Sequence, residues 1–339
     1  MALLYGQLSG ALSLREIEAG LSSHRARLYH LGTQAPSRST LSDANAVRPC
    51  EVFTGLFAHM VGQATRGLRK KVGEAVRLID STGLRLSASS GWASFSADVC
   101  GAKLHVVYDP DAERPLYVAL TSARVNDITP AKEIPIEAGA TYVFDLGYYD
   151  YGWWAKLDAA GCRIVTRFKK NTPLSIVTEL PLAAGSPVLS DRIGHLPKRM
   201  AKSRKNPFQE LVREVRVNTE TGKELRILSN DLDAAAEEIA DLYKRRWQIE
   251  LFFRWIKQTL NIRHFLGTSE NAVRIQVAVA LIAFLLLRLA QATTKTIKSP
   301  LAFARLVRAN LMHRRPLNAL LDRPPAIIRD ARQLALTPI

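Results

Sequence analysis

The chain has 339 residues, 47% of them hydrophobic, which is enough for one large domain or a core domain with appendages. Lysine and arginine total 47 against 31 acids, and the charge of +16 points to a polyanionic partner: nucleic acid first, a membrane surface second. The three cysteines, Cys50, Cys100 and Cys162, stand far apart without a CxxC pair, which argues against a zinc site or a disulfide framework. This cysteine usage, with no export signal at the N-terminus, predicts a cytoplasmic protein.

The first region, residues 1–70, is predicted to be helical. The stretch "SLREIEAGLSSHRARLYHLG" ends at Gly32, and a second short helix begins after "APSRST". Two short helices around a turn are typical of a DNA-binding module. A plain helical cap on the core fits the same pattern, so both interpretations stay open.

Residues 71–168 alternate between strand and helix patterns. Three strands are predicted in "AVRLIDSTGLRLS", "AKLHVVYDP" and "PLYVALTSARV", followed by a short helix in "PAKEIPIEAG". An apolar strand in "ATYVFD", a helix in "DYGWWAKLDAAG" and a strand in "CRIVTRF" complete the series. This order predicts an α/β fold with a mixed, partly parallel sheet flanked by helices.

The rest of the chain divides into three regions. Residues 169–230 contain short strands and the basic stretch "LPKRMAKSRKNPF", which indicates a β-rich insertion with an exposed loop that contacts DNA. Residues 231–297 are helical, and residues 298–339 form a basic helical tail. The apolar run Val277–Leu287 is shorter than the roughly 20 residues of a membrane span, so we expect a buried helix and no membrane.

Two aspartates follow apolar strand segments. Asp80 comes after "RLI" and Asp145 after "YVF", so each is predicted to stand at the end of a strand. The carboxyl ends of parallel strands face one crevice, which is where open α/β sheets bind ligands. Each aspartate alone is equally compatible with a turn or a helix cap.

A third carboxylate, Glu250, is the only acid in "LYKRRWQIELFFRWIKQTL". On one continuous helix, at about 100° per residue, Tyr243, Arg246, Glu250 and Lys257 form a narrow polar stripe beside the apolar face. An i,i+4 ion pair between Arg246 and Glu250 is the structural alternative to a chemical role.

Three carboxylates surrounded by arginine and lysine suit metal-dependent chemistry on phosphodiesters. Mg²⁺ prefers oxygen ligands and takes one or two protein carboxylates per ion. Two such ions can activate the attacking oxygen and stabilise the leaving one. The pattern therefore predicts acids that hold metal and bases that hold DNA.

These motifs resemble those of a known family. Tyr243, Arg246, Glu250 and Lys257 satisfy Y-x2-R-x3-E-x6-K, which is similar to the signature of IS4 family insertion-sequence transposases. "LIDST" around Asp80 and "FDLGY" around Asp145 resemble the two other catalytic motifs of that family. "SRSTLSDANAVRP" and "SLREIEAGL" also resemble its N-terminal region, so the similarity covers nearly the whole chain.

The resemblance implies an RNase H-like core with a catalytic triad that binds Mg²⁺ or Mn²⁺, as two ions: Asp80, Asp145 and Glu250. It implies that Tyr243, Arg246 and Lys257 contact DNA near the cut. Members of the family cut double-stranded DNA at terminal inverted repeats and join the free 3′ end to target DNA. They work as two subunits on two DNA ends, so we expect a homodimer on DNA, with the tail 298–330 as the candidate interface.

The chain departs from the family in two respects. Relatives carry further residues before "QLSGALSLREIEAGL", so Met1 is expected to begin inside an N-terminal domain, which bears on end-specific binding. No tryptophan lies within residues 169–230, so a hairpin intermediate has no support from that residue type. Two other functions stay open: a catalytically silent DNA-binding relic or repressor, and a general RNase H-type nuclease.

Overall fold

The computed structural model describes residues 1–68, 75–96, 99–182, 185–199, 205–219, 222–294, 297 and 299–312. Within these ranges a ten-stranded mixed sheet is flanked by helices, and an all-helical N-terminal region packs beside it. The predicted α/β fold, a mixed and partly parallel sheet flanked by helices, is confirmed. The division of the chain into five regions stays a prediction.

The N-terminal region is helical, as predicted. Its helices are α1 Ala2–Ser9, α2 Leu14–Ser23, α3 Arg25–Leu28, α4 Arg38–Val47 and α5 Cys50–Leu68. Ser13 and Ser37 precede α2 and α4, and each side chain accepts a bond from the backbone N–H three residues later. Helices α1, α4 and α5 pack on the long helix α10, Glu270–Ala292, so this region covers the core.

The central sheet is built by the first half of the chain. Its strands are β1 Val76–Leu86, β2 Ser94–Ser96, β3 Val99–Asp109, β4 Arg114–Ser122, β5 Thr141–Phe144 and β6 Arg163–Arg167. β1 pairs antiparallel with β3 and parallel with β5, and β5 pairs parallel with β6. With β4 beside β3, the spatial order is β4-β3-β1-β5-β6, a mixed sheet with β1 at its centre.

The strands predicted between residues 169 and 230 extend this same sheet. They are β7 Ser175–Glu179, β8 Val188–His195, β9 Leu211–Asn218 and β10 Glu224–Ser229. β10 pairs antiparallel with β6, and the sheet continues outward through β9, β8 and β7. Residues 200–204 of the predicted basic loop lie outside the described residues.

Helices cover both faces of the sheet. The remaining helices are α6 Ile128–Ala131, α7 Tyr151–Ala159, α8 Ala236–Arg245, α9 Trp247–Thr259 and α11 Pro300–Ala309. Because side chains alternate along a strand, Leu78 points to the face covered by α8, α9 and α10, and Ile79 points to the face covered by α7. Trp153 and Trp154 of α7 are buried in that second core.

Helix α10 contains the predicted buried run Val277–Leu287. It is long and apolar enough to cross a membrane, but 78% of its most apolar window is buried inside the protein. Fully buried side chains such as Leu285 contact the sheet-facing core rather than a lipid phase. The prediction of a buried core helix is therefore confirmed. Of the predicted tail, α11 is described and residues 313–339 lie outside the described residues.

Candidate active site

Asp80 and Asp145 occupy equivalent positions on neighbouring parallel strands. Ile79 of β1 is the register partner of Phe144 of β5, so the two aspartates are the next residues of each segment. Adjacent strands are about 4.8 Å apart. The residues two positions earlier in each strand belong to the core on the α9 side, and alternation places both aspartates on that side.

The prediction that Asp80 ends its strand is wrong. β1 continues to Leu86, because its antiparallel partner β3 remains paired through that residue. The parallel pairing with β5, in contrast, ends at Ile79. Asp80 therefore marks the end of the parallel pairing rather than the end of the strand. Asp145 does follow the last residue of β5, as predicted.

The predicted continuous helix around Glu250 is also wrong. α8 ends at Arg245 and α9 begins at Trp247, and the N–H of Arg246 donates to the carbonyl of Tyr243 at 3.1 Å. α8 packs against β5, β6 and the insertion strands, whereas α9 packs over β1, so the break falls between two parts of the twisted sheet. Arg246 keeps right-handed helical angles, φ −52° and ψ −31°, so the polar stripe survives.

Arg246 links two of the three carboxylates. Its Nη1 lies 2.9 Å from Asp80 Oδ2, and its Nη2 lies 2.6 Å from Glu250 Oε1. The side chains of Arg246, Asp80 and Glu250 are 18%, 15% and 32% exposed, so this cluster is partly withdrawn from water. The i,i+4 ion pair between Arg246 and Glu250, the structural alternative to a chemical role, does form. Arg246 also pairs with Asp80, which lies 166 positions earlier in the chain.

Burial raises the pKa of Asp80 from 3.8 to about 6. Arg246 and the N–H of Ser81, which donates to Asp80 Oδ1 at 2.8 Å, oppose this rise. The negative charges of Asp145 and Glu250 add to it. The three carboxylates are therefore close enough to influence one another, and the charge of Arg246 offsets only part of the cost of ionising Asp80.

A fourth carboxylate, Asp127, adjoins the site and was not predicted. Its Oδ1 accepts hydrogen bonds from Ser81 Oγ at 2.9 Å and Lys103 Nζ at 3.0 Å. A Cβ atom at Gly147 would lie 3.0 Å from Asp127 Oδ2 and 3.1 Å from Asp145 Oδ1, so both carboxylates border this glycine. The only sequence signal for Asp127 is an acid before a short helix, which is common in proteins without any site.

Lys257 and Tyr243 complete the stripe. Lys257 reaches from α9 to β1, where its Nζ donates to Thr82 Oγ1 at 2.6 Å. Thr82 stands two residues after Asp80 and so faces the same side of the sheet. The Tyr243 ring lies below the guanidinium of Arg246, 5.8 Å from ring centre to Cζ. The fold therefore brings all six residues predicted for the site to one side of the sheet.

The donor set suits a divalent cation, although its geometry is not that of a closed metal site. Among the described residues, no three His, Cys, Asp or Glu side chains are grouped so that they could hold one ion. The Arg246 guanidinium already stands as a cation between Asp80 and Glu250. If the guanidinium moved away, Asp80 and Glu250 would offer one Mg²⁺ ion the two carboxylates that it commonly takes from a protein.

Comparison with known proteins gives concordant results. The family model described as "Transposase DDE domain" matches residues 71–286, and a "Domain of unknown function (DUF4372)" matches residues 1–34. A putative transposase, y4zB, of Sinorhizobium fredii is 40% identical over 304 residues, which are 90% of this chain and 85% of that protein. A probable transposase for insertion sequence element IS5377 of Geobacillus stearothermophilus is 30% identical over 286 residues, 83% of this chain and 74% of that protein. A putative transposase for insertion sequence element IS4SA of Synechocystis is 39% identical over 66 residues, 19% of this chain and 20% of that protein.

Proposed function

The chain belongs to the family of transposases with a DDE domain, and on that basis we propose that it moves an IS4-type insertion sequence. In this proposal it cuts double-stranded DNA at terminal inverted repeats and joins the freed 3′ end to target DNA. The observation that supports the proposal is that Asp80 and Asp145 follow register partners on parallel strands, while Arg246 bridges Asp80 to Glu250 from a third segment.

Asp80, Asp145 and Glu250 are the proposed catalytic residues and the proposed ligands of two Mg²⁺ or Mn²⁺ ions. Such ions activate an attacking oxygen and neutralise charge on the phosphate. Each aspartate accepts one backbone N–H, from Ser81 or from Gly147, through its Oδ1 atom. These bonds fix the orientation of the two carboxylates, so the second oxygen of each one can face a cation.

Arg246 has two successive partners in this proposal. Without metal it holds Asp80 and Glu250, and its charge offsets part of the rise that burial causes in the pKa of Asp80. If Asp80 and Glu250 held a divalent ion, the guanidinium would have to move away from them. A DNA phosphate is then a suitable new partner, because guanidinium binds phosphate through two parallel hydrogen bonds.

Lys257 and Tyr243 are the other proposed DNA contacts. The Lys257 ammonium has a hydroxyl partner, Thr82, and no carboxylate partner among the described residues. Burial and the neighbouring charge of Arg263 lower its pKa, so a phosphate that approaches Lys257 stabilises the charged form. The Tyr243 ring supports Arg246 from below and keeps it near the reaction centre.

The wider assembly follows the sequence-based expectation. We propose a homodimer on DNA, a cytoplasmic location, and association with the nucleoid while DNA is bound. The net charge of +16 supports contact with a polyanion over a long surface. The described part of the tail, α11, packs against α1, α9 and α10 and so lies in contact with the helical core.

The test is cleavage of labelled DNA that carries the element's own terminal repeats, in Mg²⁺. We expect Asp80→Asn to abolish cutting and Asp111→Asn to leave it intact. Asp111 is a matched control, because it pairs with Arg245 at 2.7 Å, beside Arg246 but outside the carboxylate cluster. Binding without cutting by the unmodified protein would favour a relic or repressor. Cutting without preference for the repeats would favour a general nuclease.

A further inference from the structure

A cavity of about 660 Å³ opens on the carboxyl-end side of β5 and β6. Tyr149, on its wall, follows Asp145 by four residues, so their Cα atoms are at most about 14 Å apart. Lys169 on the wall comes two residues after the end of β6. The cavity therefore opens beyond the carboxyl ends of β5 and β6, past the strand end that Asp145 follows, and its tyrosines pack with the core on the α7 side.

The walls of the cavity are fixed by polar groups that bond to backbone. On one side Arg226 donates to the carbonyls of Lys169, Lys170 and Thr172 at 2.9, 2.7 and 3.2 Å. On the other side the fully buried Asn206 donates to the carbonyl of Pro197 at 3.0 Å. Both segments are thus held in place, and the side chains that face the cavity start from a rigid frame.

The lining carries an excess of positive charge. Lys132, Lys169 and Arg199 line it, and Asp150, the one acid among the described wall residues, is paired with Lys132 at 2.7 Å. The exposed Lys169 ammonium lies 4.2 Å from the centre of the Tyr149 ring and contacts no carboxylate within the described part of the chain. Such a lining favours an anion.

Three hydroxyl groups meet on the wall at distances that leave them poorly satisfied. Tyr149 Oη lies 3.3 Å from Tyr151 Oη and 3.4 Å from Thr172 Oγ1. Hydrogen bonds between hydroxyl groups are normally about 2.7–2.8 Å long. These groups can therefore turn towards a ligand oxygen, and neutral hydroxyls beside ammonium and guanidinium groups suit the oxygens of a phosphate.

We propose that this cavity binds the phosphodiester backbone of DNA next to the segment held at Asp145, with Lys169 and Tyr149 as its central contacts. The proposal rests on the proposed function and extends it. The predicted basic stretch, residues 196–208, contributes Pro197, Arg199 and Pro207 to the cavity wall. The loops that flank β7 and β8 thus supply one wall of the proposed DNA-binding cavity, at the same end of the parallel strands as Asp145.

The experiment measures binding of the full chain to a labelled duplex without divalent metal, at several NaCl concentrations. The slope of log K against log salt is negative, and each lost phosphate contact makes it shallower by about 0.9. We expect this loss for Lys169→Ala, a near-normal slope for Lys169→Arg, and no change for Lys223→Ala, an exposed lysine on the β9–β10 turn. Tyr149→Phe keeps the ring and should weaken binding about tenfold without changing the slope.

An unchanged slope for Lys169→Ala, or an equal loss for Lys223→Ala, would overturn the proposal, because binding would then depend on overall charge alone. Circular dichroism and melting verify that each variant is folded. Since no metal is present, the result is independent of cutting. A chain that cuts its terminal repeats but keeps the slope in Lys169→Ala would refute the cavity and leave the proposed function standing.

Discussion

Replacement of Arg246 by glutamine should make the protein bind Mn²⁺ more tightly in the absence of DNA. The guanidinium bonds to Asp80 and Glu250 at 2.9 and 2.6 Å, on the two carboxylates that we assign to metal. Metal and guanidinium therefore compete for the same oxygens. Glutamine removes the competing charge, although its neutral amide can still donate to one carboxylate.

The size of the effect follows from the exposure of the two pairs. Asp80 is 15% exposed, and a hydrogen bond to a charged group in such a place contributes roughly 1.5–3 kcal/mol. Glu250 is 32% exposed, and a pair screened by that much water adds about 0.2–1 kcal/mol. The sum of the two, about 1.7–4 kcal/mol, corresponds to a gain of roughly 15- to 700-fold in Mn²⁺ affinity, at about 1.4 kcal/mol per tenfold.

Titration calorimetry of Mn²⁺ at pH 7.5, where Asp80 with a pKa of about 6 is mostly ionised, measures this gain. Lys257→Gln is the matched control, because it removes a charge from the same stripe without freeing a carboxylate. Terminal-repeat DNA should raise the affinity of the unmodified protein towards that of Arg246→Gln, since a phosphate draws the guanidinium away. A gain no larger than that of Lys257→Gln would refute the displacement of Arg246.

Three further predictions concern positions around the site and in the core. Gly147→Ala should reduce cutting at least tenfold with little change in melting temperature, because its Cβ would press on two carboxylate oxygens, whereas Gly55→Ala meets open space and should cut normally. Burial lowers the pKa of His105 to about 4, so the unfolded chain binds the extra proton below about pH 6.5. Stability should therefore fall by about 2 kcal/mol from pH 7 to pH 5 in urea titrations, and His105→Gln should lose that part of the pH dependence. Leu285→Ala in α10 should cost about 2–5 kcal/mol in the same assay, and a cost near zero would contradict the core position of that helix.

Local patterns were sufficient to predict the strand before Asp145 and the buried run in α10, because both are apolar segments bounded by polar residues. The break at Arg246 was not predictable in this way, since no glycine or proline marks it and its cause is the change of packing partner beneath the helix. The length of β1 beyond Asp80 depends on pairing with β3, which is a tertiary property. The short helix predicted in 130–139 is observed as Ile128–Ala131 and ends before Pro135, whose ring disfavours a helical residue in front of it.

The position of Glu250 explains how 105 residues can separate it from Asp145 without loosening the site. After β6 the chain forms β7–β10 and returns through β10, which pairs with β6 and so ends beside the strand from which the excursion began. α8 then packs on β5 and β6, and α9 lies over β1. The insertion is thus anchored at both ends to the parallel core. The insertion can therefore differ in length at its outer strands without moving Glu250 away from Asp80. Its loops also supply one wall of the proposed DNA-binding cavity.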